Sequence, residues 1–225
     1  MQETGNKNDR ISIQVSLKGF TIEAGCARSG WLGADRVFTS PELQRRYGEV
    51  EISVFTPKFT LVPDGFFSPG KAASMLAQTV TLDKGDVVKY ESVPELGAWA
   101  VYSVSDCGTL CNVLRSAVLR TDGSQGEVRP ELFMLLRSLP SIEDYNKIAA
   151  SYADGCLCLV VAQGRTLLLC NTFQAADFTT AEYFIFQVMR KFQLNPEVSS
   201  IWFRTPLSEE EEQSLYNYFK SVETL

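Results

Sequence analysis

The sequence predicts a duplicated α/β protein whose two halves each carry a mixed sheet. Three observations predict it. Apolar segments of period two open each half, tight-turn residues separate them, and capped helix-patterned stretches follow. Three antiparallel strands followed by helix–strand crossovers give a mixed sheet with helices on its faces.

In the first half, residues 11–17 (ISIQVSL) alternate and are rich in Ile and Val, which predicts a strand. Lys18-Gly19 supplies a turn, and 20–24 resumes as a second strand. Arg28-Ser29-Gly30 is another turn, after which 31–39 reads as a third strand. Ser40-Pro41-Glu42 starts a short helix, with Ser as N-cap and Pro at its first position. Residues 49–55 alternate as a strand and 58–62 as a shorter one. Ser68-Pro69 opens a helix to about residue 78, 99–104 is a strand, and Ser105-Asp106 caps a helix to about residue 116.

The second half repeats this order. Pro130 begins a helix through 139. Residues 146–153 suit a helix (Tyr145, Ile148, Tyr152) and a strand (Ile148, Ala150, Tyr152) equally. Asp154-Gly155 is a strong hairpin signal, followed by a strand at 156–162, a turn at Gln163-Gly164 and a strand at 166–172. Thr179-x-x-Glu182 is a capping box opening a helix to 193, with Phe184, Ile185, Val188, Met189 and Phe192 wrapping widely around it. Residues 199–204 form a strand. Ser208-x-x-Glu211 opens a last helix with the apolar stripe Leu215, Tyr218, Phe219 and Val222. The acids at 209–212 suit the positive end of that helix. The halves divide as 1–117 and 118–225, with the polar stretch TDGSQGE near the join.

Composition excludes several function classes. The 225 residues are 45% hydrophobic, enough for a sizeable core. There is no histidine, which removes Ser-His-Asp and Cys-His catalysis and histidine metal sites. The net charge of −6 argues against nucleic acid as a ligand. The N-terminus MQETGNKNDR has no apolar core and does not read as a signal, and the longest apolar run, 156–162, is too short to span a membrane. A cytoplasmic protein with six reduced thiols is expected. Cys107 and Cys111 share a helix face, but no second pair stands near them. A Gln163-Gly164 loop pairs 162 with 165, so 158 faces 169 and 157 faces 170. That register puts Cys156 and Cys158 on one face and Cys170 on the other, and the three thiols do not converge on a metal.

The segment from Gly65 to Lys71 (GFFSPGK) has the spacing of a phosphate-binding loop. Its chemistry is poor. Ala72 stands where a hydroxyl should meet magnesium, Pro69 lacks an N–H, and Phe66 and Phe67 are bulky. A turn with a solvated Lys71 is the expected reading. No two glycines lie two apart, so there is no dinucleotide fingerprint. Asp35, Asp64 and Asp177 are scattered loop acids.

The segments ISIQVSLKGFTIEA, FTLVPDGFF and GRTLLLCNTFQAADFTTAEYFIFQVM resemble a family of uncharacterised bacterial proteins with a divergent actin-like ATPase (ribonuclease H-like) fold. The resemblance implies two related halves and a strand at 146–153. In nucleotide-binding members of the wider group, the first hairpin of each half holds phosphate through an acid and glycines. The matching turns here are Ser16-Leu17-Lys18-Gly19 and Ala153-Asp154-Gly155. The first lacks the acid, with Gln14 and Lys18 in that strand and turn; the second keeps Asp154 and Gly155. No glycine-rich adenosine loop stands at 202–207.

The expected function is therefore a non-catalytic cytoplasmic protein acting through a protein partner or as a homodimer. Related actin-like proteins of pilus assembly and cell division suggest that the partner offers a peptide segment. The alternative is a weak nucleotide-binding protein or ATPase, holding ATP and magnesium between the halves with Lys18, Gly19, Asp154 and Gly155. A ribonuclease H-like nuclease needs converging carboxylates, and the first strand offers Gln14 and Ser16 instead.

Overall fold

The structure is a computed structural model that describes residues 9–225. Most of the polar N-terminal stretch, residues 1–8, lies outside the described residues. The chain forms two compact units. The first takes the described residues up to Val54 with Val104–Arg129, and the second takes Phe55–Ser103 with Pro130–Leu225.

The first unit is built on a five-stranded sheet. Its strands are β1 (Arg10–Ser16), β2 (Gly19–Ala24), β3 (Ala27–Arg28), β4 (Glu49–Val54) and β8 (Glu127–Pro130), in the order β3-β2-β1-β4-β8. β1 is antiparallel to β2 and parallel to β4. Alternation sorts the side chains by face. Ile13 pairs with Ile22 and Ile52, and Val15 with Phe20 and Val54, so these buried side chains share one face. Ser12, Gln14, Thr21, Glu51 and Ser53 share the other, and all five are buried too. Helix α2 (Gly108–Ala117) buries Cys111 and Leu114.

The predicted third strand at 31–39 is corrected. Leu32 makes a single bridge to Phe20, and Ala34–Phe38 is a 3-10 turn that buries Val37 alone. Asp35 and Arg36 are exposed, so the segment inserts one side chain rather than an alternating face. The cap of α2 is also corrected. Its N-cap is Cys107, with no side-chain capping bond, because the backbone turns at Gly108 (φ +77°) beyond the predicted Ser105-Asp106. The polar stretch before 130 holds a strand the sequence reading missed, β8.

The second unit contains two sheets. A small one, order β5-β7-β6, has β5 (Phe59–Pro63), β6 (Val88–Val93) and β7 (Ala98–Ser103), all antiparallel. The short helix α1 (Ala72–Leu76) packs through Ala72 and Leu76 against Val101 on one face. On the other face Phe59 and Tyr102 meet Phe133, at ring-centroid distances of 6.5 and 6.0 Å. Lys58 Nζ reaches Asp83 at 2.6 Å and Asp86 at 2.7 Å, tying the loop before β6 to the start of β5. β6 was not predicted; Lys89 and Glu91 interrupt its apolar pattern.

The larger sheet has β9 (Asn146–Ala153), β10 (Cys156–Gln163), β11 (Thr166–Gln174), β12 (Ser200–Phe203) and β13 (Ser221–Thr224), in the order β11-β10-β9-β12-β13. Each position repeats the first sheet, with β9 for β1, β10 for β2 and β12 for β4. Helix α3 (Glu131–Ser138) lies buried, offering Phe133 to the small sheet and Glu131 to the large one. Helices α4 (Phe178–Lys191) and α5 (Glu209–Tyr216) cover the opposite face, where Ile148, Leu157, Leu159, Val161, Ile185 and Ile201 form a core. Each such side chain contributes about 1.5–3 kcal/mol on burial.

Three further expectations are corrected. Asp177, not Thr179, caps α4, accepting from the Thr180 N–H at 2.7 Å. The capping box at Ser208 and Glu211 is present, but its helix stops at Tyr216 and Val222 lies on β13, parallel to β12. The β10–β11 loop is Gly164-Arg165, with Gln163 opposite Thr166, and the register shifts between Val161 and Ala162. Cys170 therefore faces Val160, two residues from Cys158, and all three thiols share one face. Among the described residues, no group of His, Cys, Asp or Glu side chains could hold a metal ion.

Candidate functional site

The first turn is set by local sterics. Ser16 and Gly19 close a two-residue loop of Leu17 and Lys18. The Ser16 Oγ accepts from the Lys18 N–H at 3.1 Å, and Lys18 is exposed. Gly19 sits at φ +140°, and a Cβ there would lie 2.0 Å from the Leu32 carbonyl oxygen. Close approach to Leu32 thus accounts for this glycine without a ligand. Beneath the turn, Gln14 is 3% exposed and its Oε1 accepts from Thr21 Oγ1 at 3.1 Å. Ser53, opposite Gln14 on β4, donates to the Ile13 carbonyl. The position two residues before the turn thus holds a neutral amide.

The second turn is set by handedness. Asp154 (φ +55°) and Gly155 (φ +71°) are both left-handed, as a tight two-residue hairpin requires. The Gly155 carbonyl accepts from the Ala175 N–H at 2.8 Å, so the turn is anchored to the end of β11. The position two residues before it is Ser151, fully buried. Ser151 Oγ donates to Glu131 Oε1 at 2.6 Å, and Arg204 Nη1 donates to Glu131 Oε2. Glu131 is wholly buried and Arg204 nearly so. This ion pair satisfies its own charges, which burial requires.

Cys156 and Cys158 flank this group on β10. A hydrogen bond from Cys158 draws the Cys156 thiol below its usual pKa, while that bond and burial push Cys158 well up. Burial alone pushes Cys170 up to about 12. Cys156 is the thiol that ionises most readily of the three.

The remaining candidates have structural places. Gly65 and Gly70 have open space around them and no left-handed φ, and Lys71 is exposed, so the 65–71 loop builds no nest of N–H groups. Asp177 is the α4 cap, and the Asp64 N–H donates to the Gly97 carbonyl. In 202–207, Trp202 Nε1 donates to Asp144 at 3.0 Å and Thr205 Oγ1 accepts from the Tyr152 N–H at 3.0 Å. Lys18 and Gly19 belong to the first unit, Asp154 and Gly155 to the second. Sequence reasoning missed Glu131 and Arg204, which lie 73 residues apart. An acid at the head of an apolar helical run was the one available signal.

The sequence pattern of the DUF3822 family, described as a protein of unknown function, matches residues 34–222. No curated protein matches the chain. Among solved structures, it is similar to a Bacteroides thetaiotaomicron protein described as having an actin-like ATPase fold and unknown function. Identity is 17%, coverage is 100% of this chain and 94% of that one, and the TM-score is 0.64. It is similar more weakly to the cytoplasmic domain of EpsL, an inner membrane component of the Vibrio cholerae type II secretion system (12% identity, 89% and 83% covered, TM-score 0.48). A PilM–PilN type IV pilus biogenesis complex stands at the same level (13% identity, 97% and 88% covered, TM-score 0.48). The first likeness and the repeated strand order give the chain a duplicated actin-like ATPase fold.

Proposed function

The chain belongs to the DUF3822 family, and from that premise we propose that it is a non-catalytic protein of actin-like fold that acts in the cytoplasm by binding a protein partner. The observation that carries this reading is the first hairpin. Its turn lacks the acid that phosphate-handling relatives carry there, and beneath it lies a buried neutral amide, Gln14, engaged by Thr21. Gly19 and Gly155 each have a steric reason to be glycine. The six free cysteines support a reducing compartment. No helix among the described residues is long and apolar enough to cross a membrane. Exposed aromatic side chains beside the small sheet support a partner surface. Phe66 is 78% exposed and Tyr90 41%, and Tyr90 meets the partly buried Trp99 edge-on at 5.8 Å.

The test is thermal unfolding of the purified chain with and without millimolar Mg-ATP. The expected shift is below about 1 °C. A ligand at 100 times its Kd stabilises by about 2.7 kcal/mol, which moves Tm by several degrees. Such a shift overturns the reading and directs mutation to Lys18, Gly19, Asp154 and Gly155.

A further inference from the structure

The two outer strands of the large sheet are unequal. β13 has four residues and carries Glu223, whereas β11 has nine and carries no charge. β11 is bonded to β10 on one side only. The direction of its backbone groups follows from the register. Ala153 and Cys156 close a two-residue loop, so they exchange both hydrogen bonds. Alternation then turns the backbone groups of Leu157, Leu159 and Val161 toward β11, where they meet Phe173, Asn171 and Leu169. The Ala175 N–H continues this series toward Gly155. The N–H and C=O groups of Cys170, Thr172 and Gln174 therefore point away from β10, to the edge of the sheet. Among the described residues, no hydrogen bond reaches them there.

A long uncharged edge is a template for another strand, and proteins blunt such edges with Lys, Pro or a bulge. Residues 166–174 contain no Lys and no Pro, and the register shift lies at the Arg165 end, leaving 169–174 regular. We propose that β11 pairs antiparallel with β11 of a second copy, joining two five-stranded sheets about a two-fold axis. Pairing through the outward backbone groups of Cys170, Thr172 and Gln174 fixes the register. Cys170 then faces Gln174 of the second copy, and Thr172 lies on the axis.

Charge selects this occupant and this orientation. Exposed Arg165 precedes the strand and exposed Asp177 follows it. Antiparallel pairing sets the Arg165 end of each strand beside the Asp177 end of the other, twice. Parallel pairing sets like against like. The inference stands apart from the non-catalytic reading, because it is tested without nucleotide.

Sedimentation equilibrium of the full chain from about 1 to 100 μM tests it. The expected species has twice the 25.1 kDa mass of the chain. Thr172 is half-buried at this edge, and far-ultraviolet circular dichroism checks that a charge there leaves the fold intact. Thr172→Lys and Thr172→Glu each set like charges against one another across the axis and weaken the dimer by about tenfold. An equimolar mixture of the two variants sets opposite charges there and restores it. A monomer at every concentration overturns the proposal. So does a dimer that neither variant weakens, or that the mixture does not restore.

Discussion

The two five-stranded sheets share one strand order and differ in what lies beneath the first hairpin. In the first unit the polar positions there include Gln14, which accepts from the Thr21 hydroxyl, and Ser53, which donates to the Ile13 carbonyl. Its buried acid, Glu51, pairs with Arg10, which is half open to water, and with Arg129 at 4.0 Å. In the second unit, Ser151 and Arg204 hold a carboxylate that water does not reach. The apolar alternation fixes the topology in both. The other alternation is free to change chemistry, and it has.

The largest test of this contrast is Glu131→Gln. It strands the Arg204 charge in the interior and should cost about 3–5 kcal/mol in urea unfolding. The matched Glu51→Gln should cost about 1–2 kcal/mol, because Arg10 can turn to solvent. Equal losses would erase the distinction between the pairs.

The turns come next. Gly19→Ala forces a Cβ against the Leu32 carbonyl and should cost about 3 kcal/mol. Gly155→Ala meets the Ala175 carbonyl at an ordinary 3.4 Å and should cost about 1–2 kcal/mol for the left-handed φ. A reversed order would place the tighter turn in the second unit.

The smallest contrast lies in the helix caps. Asp177→Ala should lower Tm, whereas Cys107→Ala should change it by less than about 1 °C, since Cys107 makes no capping bond to α2. Hydrogen bonds from the Thr180 hydroxyl and N–H hold the Asp177 carboxyl below its usual range. A depressed folded pKa stabilises above the unfolded value of 3.8 and is lost as pH falls through the folded one. The Tm difference between wild type and Asp177→Ala should therefore be full at pH 7 and shrink below about pH 4.

Most strands were legible because alternation is a local signal. β1, β4 and β10 alternate or run apolar between clear turns, and Asp154-Gly155 admits few conformations other than a hairpin. The failures have physical causes. In 31–39 the apolar residues are too sparse to make a face. In β6, Lys89 and Glu91 occupy alternate positions of a half-buried edge. The β10–β11 register slipped because a bulge adds a residue that no composition marks, and that slip alone moved Cys170 to the wrong face. Both turn positions were legible. The Glu131–Arg204 pair was not, because its partners meet only after α3 and β12 pack on the same sheet.

The inserted segment Phe55–Ser103 also sets a timetable. β4 ends at Val54 and β8 begins at Glu127, so 72 residues separate the fourth strand of the first sheet from its fifth. A ribosome adding about 5–20 residues per second takes about 4–15 s over that stretch. During that time β4 has emerged without its outer neighbour, and an unpaired edge of Val50, Ile52 and Val54 is open to whatever strand arrives first. The first unit begins first in sequence, yet it cannot close until Arg129 has followed the whole inserted segment.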